Sequence, residues 1–280
     1  GVGTPISVTN VNLSTSSCNN TYKQGDICVH YVYVDGEDCH EFDRTECLTP
    51  GDTLTVIADI HNPHSEVGWL WVEARDPETF EPITYNHLIG SAIIVESNLS
   101  FVWSYTPYSF RSLVTDCSSG ASDCGNCFTD LGNNNPGYAD FDGTEYEPFP
   151  DALILDNFFE EPPSGGVDNM LTLMSTRFVG ETNVSASIWN NDEDPFSKGF
   201  VFECHTRTPL GLISSIVKNL GGVDGETFEK YQTGWIEFRS SYGILGVFKH
   251  QVNRSGGFRF GAGHELVAEG TQHVELERFF

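Results

Sequence analysis

The sequence predicts an all-β protein, built as two disulfide-stabilised, immunoglobulin-like β-sandwich domains with one short helix in the second. Three observations lead there. The 280 residues are 12% aromatic with 28 Gly and only 2 Met, and Val, Thr, Phe and Tyr gather in short runs that suit a half-buried pleated surface. Turn signals separate those runs at intervals of about eight to twelve residues, as in sandwiches with Greek-key connections. The chain also holds eight cysteines, seven of them before residue 128, and an even number near turns reads as a disulfide framework. The length allows two domains, each able to bury a core.

Gly1–Ser17 is uncharged and rich in β-branched residues, which makes it a strand. Two roles are open to it. It is the first strand of its own domain, or it completes a sheet in a neighbouring molecule through Val2, Ile6, Val8, Val11 and Leu13, as in strand donation. Between Cys18 and Cys47, four cysteines surround the alternating run Ile27–Val34, which ends in the hairpin signal Asp35-Gly36. Cys18 with Cys28, and Cys39 with Cys47, are the expected local pairs. Pro50-Gly51-Asp52 turns the chain into Thr53–Ile60, expected as a buried strand. Trp69–Ala74, Ala92–Val95 and Leu99–Tyr105 follow as further strands.

The stretch Cys117–Gly166 carries Cys117, Cys124, Cys127 and many acids, with no lysine or arginine between Arg111 and Arg177. It reads as a joint (117–161) closing a first domain of residues 1–161. Pro162-Pro163-Ser164-Gly165-Gly166 then forms a linker (162–166) to a second domain of residues 167–280. That domain has strands at Met170–Ser175, Asn183–Trp189, Gly199–Cys204, Gly234–Arg239, Ile244–Val252, Gly257–Phe260, Leu266–Glu269 and Val274–Phe279. Its helix starts from Thr208 as N-cap and Pro209 as first residue, stops at Gly221, and buries Leu210, Ile213, Val217 and Leu220. Cys204 has no partner nearby in sequence, and a bridge to the Cys117–Cys127 loop is expected because it would pin the domains together.

Thr233-Gly234-Trp235-Ile236-Glu237-Phe238 followed by Gly243-Ile244-Leu245-Gly246-Val247-Phe248 reads as a hairpin of a Gly-Trp strand and a small-residue strand. It resembles one found in bacterial secreted or surface immunoglobulin-like β-sandwich modules. The resemblance covers the C-terminal part only. It implies a cell-surface or extracellular setting and no particular reaction.

Charge is uneven. The formal net charge is −26, and residues 1–166 hold 26 acids against 4 bases, net −22, leaving −4 for residues 167–280. Such a first half repels nucleic-acid phosphates and anionic lipid. It favours cations or a basic partner, or serves solubility alone. No run of about 18 apolar residues is present to span a bilayer. The start at Gly1 without Met fits removal of a signal peptide, and with the cysteines it predicts a secreted protein, extracellular or at the cell surface.

For a metal, the acids Asp130, Asp140, Asp142, Glu145 and Glu147 stand around a glycine turn and offer oxygens to calcium, although their spacing is not that of an EF-hand. The alternative is a solvated acidic loop. Tyr138, Phe141, Tyr146 and Phe149 lie among these acids and suit a glycan. Asn190–Asp194 is a second acidic cluster, too compact for all its residues to face one ion. His61, His64 and Glu66 fall short of a zinc set. Cys124-Gly125-Asn126-Cys127 has redox spacing, but its flanks show no helix to activate a thiol, so structural disulfides are expected. Phe128 stands where covalent haem attachment needs His. Sequons at Asn12, Asn19, Asn98, Asn183 and Asn253 exceed what the composition yields by too little to carry meaning. A C-terminal Phe280 suits an outer-membrane barrel, but Arg278 breaks the apolar stripe.

Nucleophile elbow, zinc helix and phosphate loop are all missing from the sequence, so no catalytic residues are assigned. The expected function is an extracellular structural or surface protein, a self-associating filament or surface-layer subunit using its N-terminal strand for contact. The alternative is a calcium- or glycan-binding adhesion module, with a secreted hydrolase behind it.

Overall fold

In the computed structural model of the chain, the residues described are 3–64, 67–96, 101–114, 117, 120–129, 141, 143–161, 166–176, 180–190, 193–218, 220, 233–253 and 259–268. They form two units, Gly1–Phe149 and Pro150–Phe280. The strands of the first are β1 (Pro5–Asn10), β2 (Ile27–Asp35), β3 (Glu41–Leu48), β4 (Thr53–Ile57), β5 (Gly68–Arg75), β6 (Leu88–Glu96) and β7 (Phe101–Tyr105), with one helical turn, α1 (Ala58–His61), after β4. All pair antiparallel, in a four-stranded sheet β4-β1-β6-β7 and a three-stranded sheet β3-β2-β5.

The period-2 pattern explains how these sheets meet. Val8 from the first sheet and Ile27, Val29, Tyr31 and Tyr33 from the second share one buried core, with Leu48, Ala74, Ile83 and Tyr85 closing it. Alternate residues of the first sheet therefore face outward, and none of them is charged: Pro5, Ser7 and Thr9 on β1; Thr53, Thr55 and Ile57 on β4; Ile89, Ser91, Ile93 and Val95 on β6; Val102 and Ser104 on β7. Cross-strand hydroxyl pairs link Ser7 with Thr55 (2.8 Å) and Thr9 with Thr53 (2.9 Å).

This arrangement corrects the N-terminal expectation. β1 is bonded on both sides, by β4 and β6, so its ladder groups are spent inside its own sheet. Ile6 packs against the core and Val8 lies within it, so neither is a donor-strand contact. Val11 and Leu13 lie beyond the strand, and Val2 lies outside the described residues. Thr53–Ile60 is likewise no buried strand. β4 is an edge strand of alternating exposure, and the chain turns at Ala58 to leave Ile60 76% exposed.

The disulfides differ from the expected local pairs. β2 and β3 form the predicted hairpin, and Cys28 falls opposite Cys47 and is bonded to it. Cys18 is bonded to Cys124, and Cys117 to Cys127. Cys39 and Cys204 are disulfide-bonded as well. Since Cys117, Cys124 and Cys127 already have partners, the bridge expected from Cys204 to that loop is not formed.

The second unit begins earlier than the sequence suggests. Its strands are β8 (Ala152–Phe159), β9 (Val167–Ser175), β10 (Thr182–Asn190), β11 (Pro195–Phe202), β12 (His205–Pro209), β13 (Thr233–Ser240), β14 (Ile244–Asn253), β15 (Arg259–Glu265) and β16 (Val267–Ala268). β8, read from sequence as part of the joint, is an interior strand between β13 and β16. The boundary thus falls at 149/150 rather than at the proline-glycine linker, of which 162–165 lie outside the described residues.

The sheets of this unit run β11-β10-β13-β8-β16 and β12-β9-β14-β15. Alternation buries Leu153, Leu155 and Phe158 of β8, Val184, Ala186 and Ile188 of β10, Leu171 and Leu173 of β9, and Ile244 and Phe248 of β14. Phe159 meets His250 across the two sheets, ring centroids 5.6 Å apart. The pairings β9–β12 and β10–β13 match second-to-fifth and third-to-sixth strand pairing in immunoglobulin domains. The seventh strand departs from that pattern, because β14 pairs with β9 and not with β13. The expected Trp-strand hairpin is therefore absent: the turn at Tyr242-Gly243 carries the chain from one sheet to the other.

The predicted helix is one α-turn, α2 (Leu210–Ile213), followed by a 3-10 turn at Ser215–Lys218. Its apolar positions are buried as expected, with Leu210 and Val217 fully inside. Its start is not. Pro209 holds the cap position and no side chain caps it, because Thr208 belongs to β12.

Candidate functional site

Both faces of β2 are buried, which is unusual for a strand in a three-stranded sheet. The side facing away from the shared core carries Cys28, His30, Val32 and Val34, none more than 5% exposed. Residues paired across an antiparallel ladder share a face, so Glu73, Trp71 and Trp69 of β5 stand beside them. Phe141 packs on Trp71 at 6.0 Å between centroids, and Phe110, Phe149 and Tyr146 surround Phe141 at 4.7, 5.2 and 5.2 Å. The described residues between Cys117 and Phe149 thus belong to the fold of the first unit.

Backbone bonds hold them there. Thr84 donates to Cys127 O (2.8 Å), Thr129 to Pro82 O (3.1 Å), and Leu113 to Glu145 O (2.8 Å). The Tyr146 hydroxyl accepts from the Tyr85 amide at 2.8 Å and donates to Ile83 O at 2.9 Å.

Of the sequence-predicted calcium ligands, only Glu145 and Glu147 are among the described residues. Asp130, Asp140 and Asp142 lie outside the described residues. Glu147 is committed to Arg111, through a 3.0 Å ion pair and a 3.2 Å bond from the Arg111 amide. Glu145 is buried at 7% exposure. Among the described residues no three His, Cys, Asp or Glu side chains assemble for a metal. Of the glycan aromatics, Tyr146, Phe141 and Phe149 belong to the packed cluster, and Tyr138 lies outside the described residues.

Beneath the same face lies a buried ionic node that sequence reading missed. Arg75 donates to Glu73 Oε1 from Nε (3.0 Å) and Nη2 (2.7 Å), to Phe80 O from Nη1 (3.2 Å), and stands 2.7 Å from His30 Nδ1. His30 Nε2 faces Asp43 of β3 at 3.5 Å. His30 Nδ1 also lies 3.0 Å from Glu73 Oε1. The node ties β2, β3 and β5 together, with His30 and Glu73 buried and Asp43 at the exposed end. Only the Glu73–Arg75 pair on β5 is close in sequence, and His30 and Asp43 come to it from other strands.

At the other side of β2, His61 on α1 accepts or donates at Nδ1 with the Tyr33 hydroxyl (2.8 Å) and sits edge-on to Tyr31 at 5.0 Å. Burial holds the His61 imidazole below its ordinary range, with Glu46 opposing. Burial also pushes the Tyr33 phenol up to about 12. His64 instead packs on Phe42 at 4.8 Å, so the two histidines of the zinc reading serve different neighbours, and Glu66 lies outside the described residues. Cys124 and Cys127 bond to Cys18 and Cys117 rather than to each other, which removes the redox spacing as a unit. At the second acidic cluster Asn190 Oδ1 accepts the Asp194 amide at 2.8 Å, and Asn191 and Asp192 lie outside the described residues.

In the second unit, Trp189 and Trp235 are cross-strand partners and stack at 3.9 Å and 8°. Trp235 stays 39% exposed. By ladder parity they share the outer face with Ser185 and Ser187 of β10, Pro195, Ser197 and Gly199 of β11, and the Glu237–Arg239 ion pair. Both tryptophans were legible on strands, but their meeting depends on strands 46 positions apart in sequence.

No family model matches the chain, and no curated protein matches it. No helix among the described residues is long and apolar enough to cross a membrane.

Proposed function

We propose that this chain is an extracellular structural or surface protein that assembles with copies of itself into a filament or surface layer. The observation that carries the reading is the cross-linking of an all-β frame: disulfides Cys18–Cys124 and Cys117–Cys127 fasten the segment around Cys117–Cys127 within the first unit. Cross-linking of this kind suits an oxidising compartment and a long service life. The polar nodes support a non-catalytic role, since their charges are paired to hold strands. With β1 internal, the copies meet through a surface other than a donated strand. Negative-stain imaging and light scattering of the native protein at rising concentration and high salt test this. Growth into regular polymers is expected, and a monodisperse monomer under every condition sinks it.

A second reading is a glycan-binding adhesion module, favoured by the exposed Trp189–Trp235 pair among serines. Indole faces take up the apolar faces of sugars while hydroxyls bond their rims. Titration with soluble polysaccharides should then shift tryptophan emission in the wild type and not in Trp235→Ala. An unchanged spectrum across a polysaccharide panel removes this reading.

A further inference from the structure

We infer that copies of this chain meet through the outer face of the sheet β4-β1-β6-β7, packed against the same face of a second copy. The inference rests on the self-assembly reading and names its contact. The face carries twelve outward side chains and no charge, on a unit whose sequence holds most of a −26 net charge. Ile89 (56%), Val102 (59%), Ile93 (40%) and Ile57 (36%) stand exposed on it. By contrast the edge strand β3 exposes Glu41, Asp43 and Glu46.

Charge decides the occupant. Copies approaching by their acidic surfaces repel one another and must strip water from carboxylates, a cost of several kcal/mol per buried ion. Two copies of this face bury no carboxylate, and a self-complementary patch is what a two-fold contact requires. A basic partner finds nothing here to pair with. Polar satisfaction also permits burial, since four of the hydroxyls are already paired across β1 and β4. Twelve residues are about half of the 20–30 a side that a stable interface uses, so the contact is weak alone and works at high local concentration. Its salt dependence has a definite sign: salt screens the like charges of the two copies and strengthens apolar burial, so association grows with salt.

Sedimentation velocity on the full chain tests this, with Ser91→Glu and Ile93→Glu on the face and Ser185→Glu on the second unit as control. Equal melting temperatures establish folding, and Ser91 is exposed, so its variant carries the test if Ile93→Glu unfolds. The expected result is association that rises with salt in the wild type and control, and falls at least tenfold in the face variants. Wild type and face variants associating equally overturns the face while leaving self-assembly standing. No association of the wild type at any concentration in high salt overturns both.

Discussion

Tyr146 fastens the covering stretch to the strand-like segment at Tyr85. Its hydroxyl takes the Tyr85 amide at 2.8 Å and gives its own proton to Ile83 O at 2.9 Å, with the side chain 5% exposed. Burial raises the phenol well above its usual range, so it stays a neutral donor. Tyr146→Phe keeps the ring and strands one buried N–H and one buried C=O. A loss of about 1–3 kcal/mol follows, read as a lower urea midpoint at constant slope.

The disulfide pattern is decided by mapping unreduced peptides. Cys18–Cys124, Cys28–Cys47 and Cys117–Cys127 are expected. The bridge from Cys18 closes 106 residues and the one from Cys117 closes 10. On chain-entropy grounds the first removes about 5 kcal/mol of unfolded-state freedom and the second about 3. The double variant Cys18→Ala/Cys124→Ala should therefore melt lower than Cys117→Ala/Cys127→Ala. The reverse order would show that native contacts, not loop length, set the effect.

Glu265 ends β15 and is half-buried, and that burial lifts its carboxyl from 4.5 to about 8. Below the unfolded pKa both states hold the proton and nothing is lost. Between about pH 4.5 and 8 the unfolded chain ionises while the folded one keeps its proton, so stability falls as pH rises through that window. Glu265→Gln should melt higher than wild type at pH 7, and the difference should vanish near pH 4. Parallel melting curves across that range would refute the assignment.

Gly234 and Gly199 lie in one sheet and answer differently to a methyl group. A Cβ at Gly234 comes within 2.5 Å of the Trp189 carbonyl oxygen and 2.8 Å of the Phe158 ring, whereas at Gly199 its nearest atom is 3.8 Å away. Gly234→Ala should cost about 1–3 kcal/mol through overpacking, and Gly199→Ala should be close to neutral. Chemical denaturation of the two variants side by side measures it.

Period-2 alternation made most strands readable, because one face of each sheet is buried. Asn183–Trp189 was visible for that reason, whereas Ile27–Val34 was legible as an apolar β-branched and aromatic run whose two faces are both buried. Reading broke down where pairing is non-local. Ala152–Phe159 looked like loop because acids and prolines flank it, yet β13, some 75 residues on, makes it a central strand. Cys28 and Cys47 were each assigned a nearer partner, and only the hairpin register sets them opposite one another. The ionic node of His30, Glu73 and Arg75 is invisible in one dimension, since β2 and β5 bring it together from 43 and 45 positions apart. Of the two uses open to the uncharged N-terminal run, the structure takes the strand of its own sheet, because β4 and β6 pair with it on both sides.

The place of β8 also governs how the molecule is made. It leaves the ribosome first among its unit, yet its neighbours β13 and β16 are still unsynthesised. At roughly 5–20 residues per second, β13 arrives about 4–15 s later. Through that interval Leu153, Leu155 and Phe158 lack their own sheet neighbours, so closure of the unit must await β13 and β16. Apolar surface left waiting in this way favours contacts with other chains, so shielding of that strand bears on how much of the product folds.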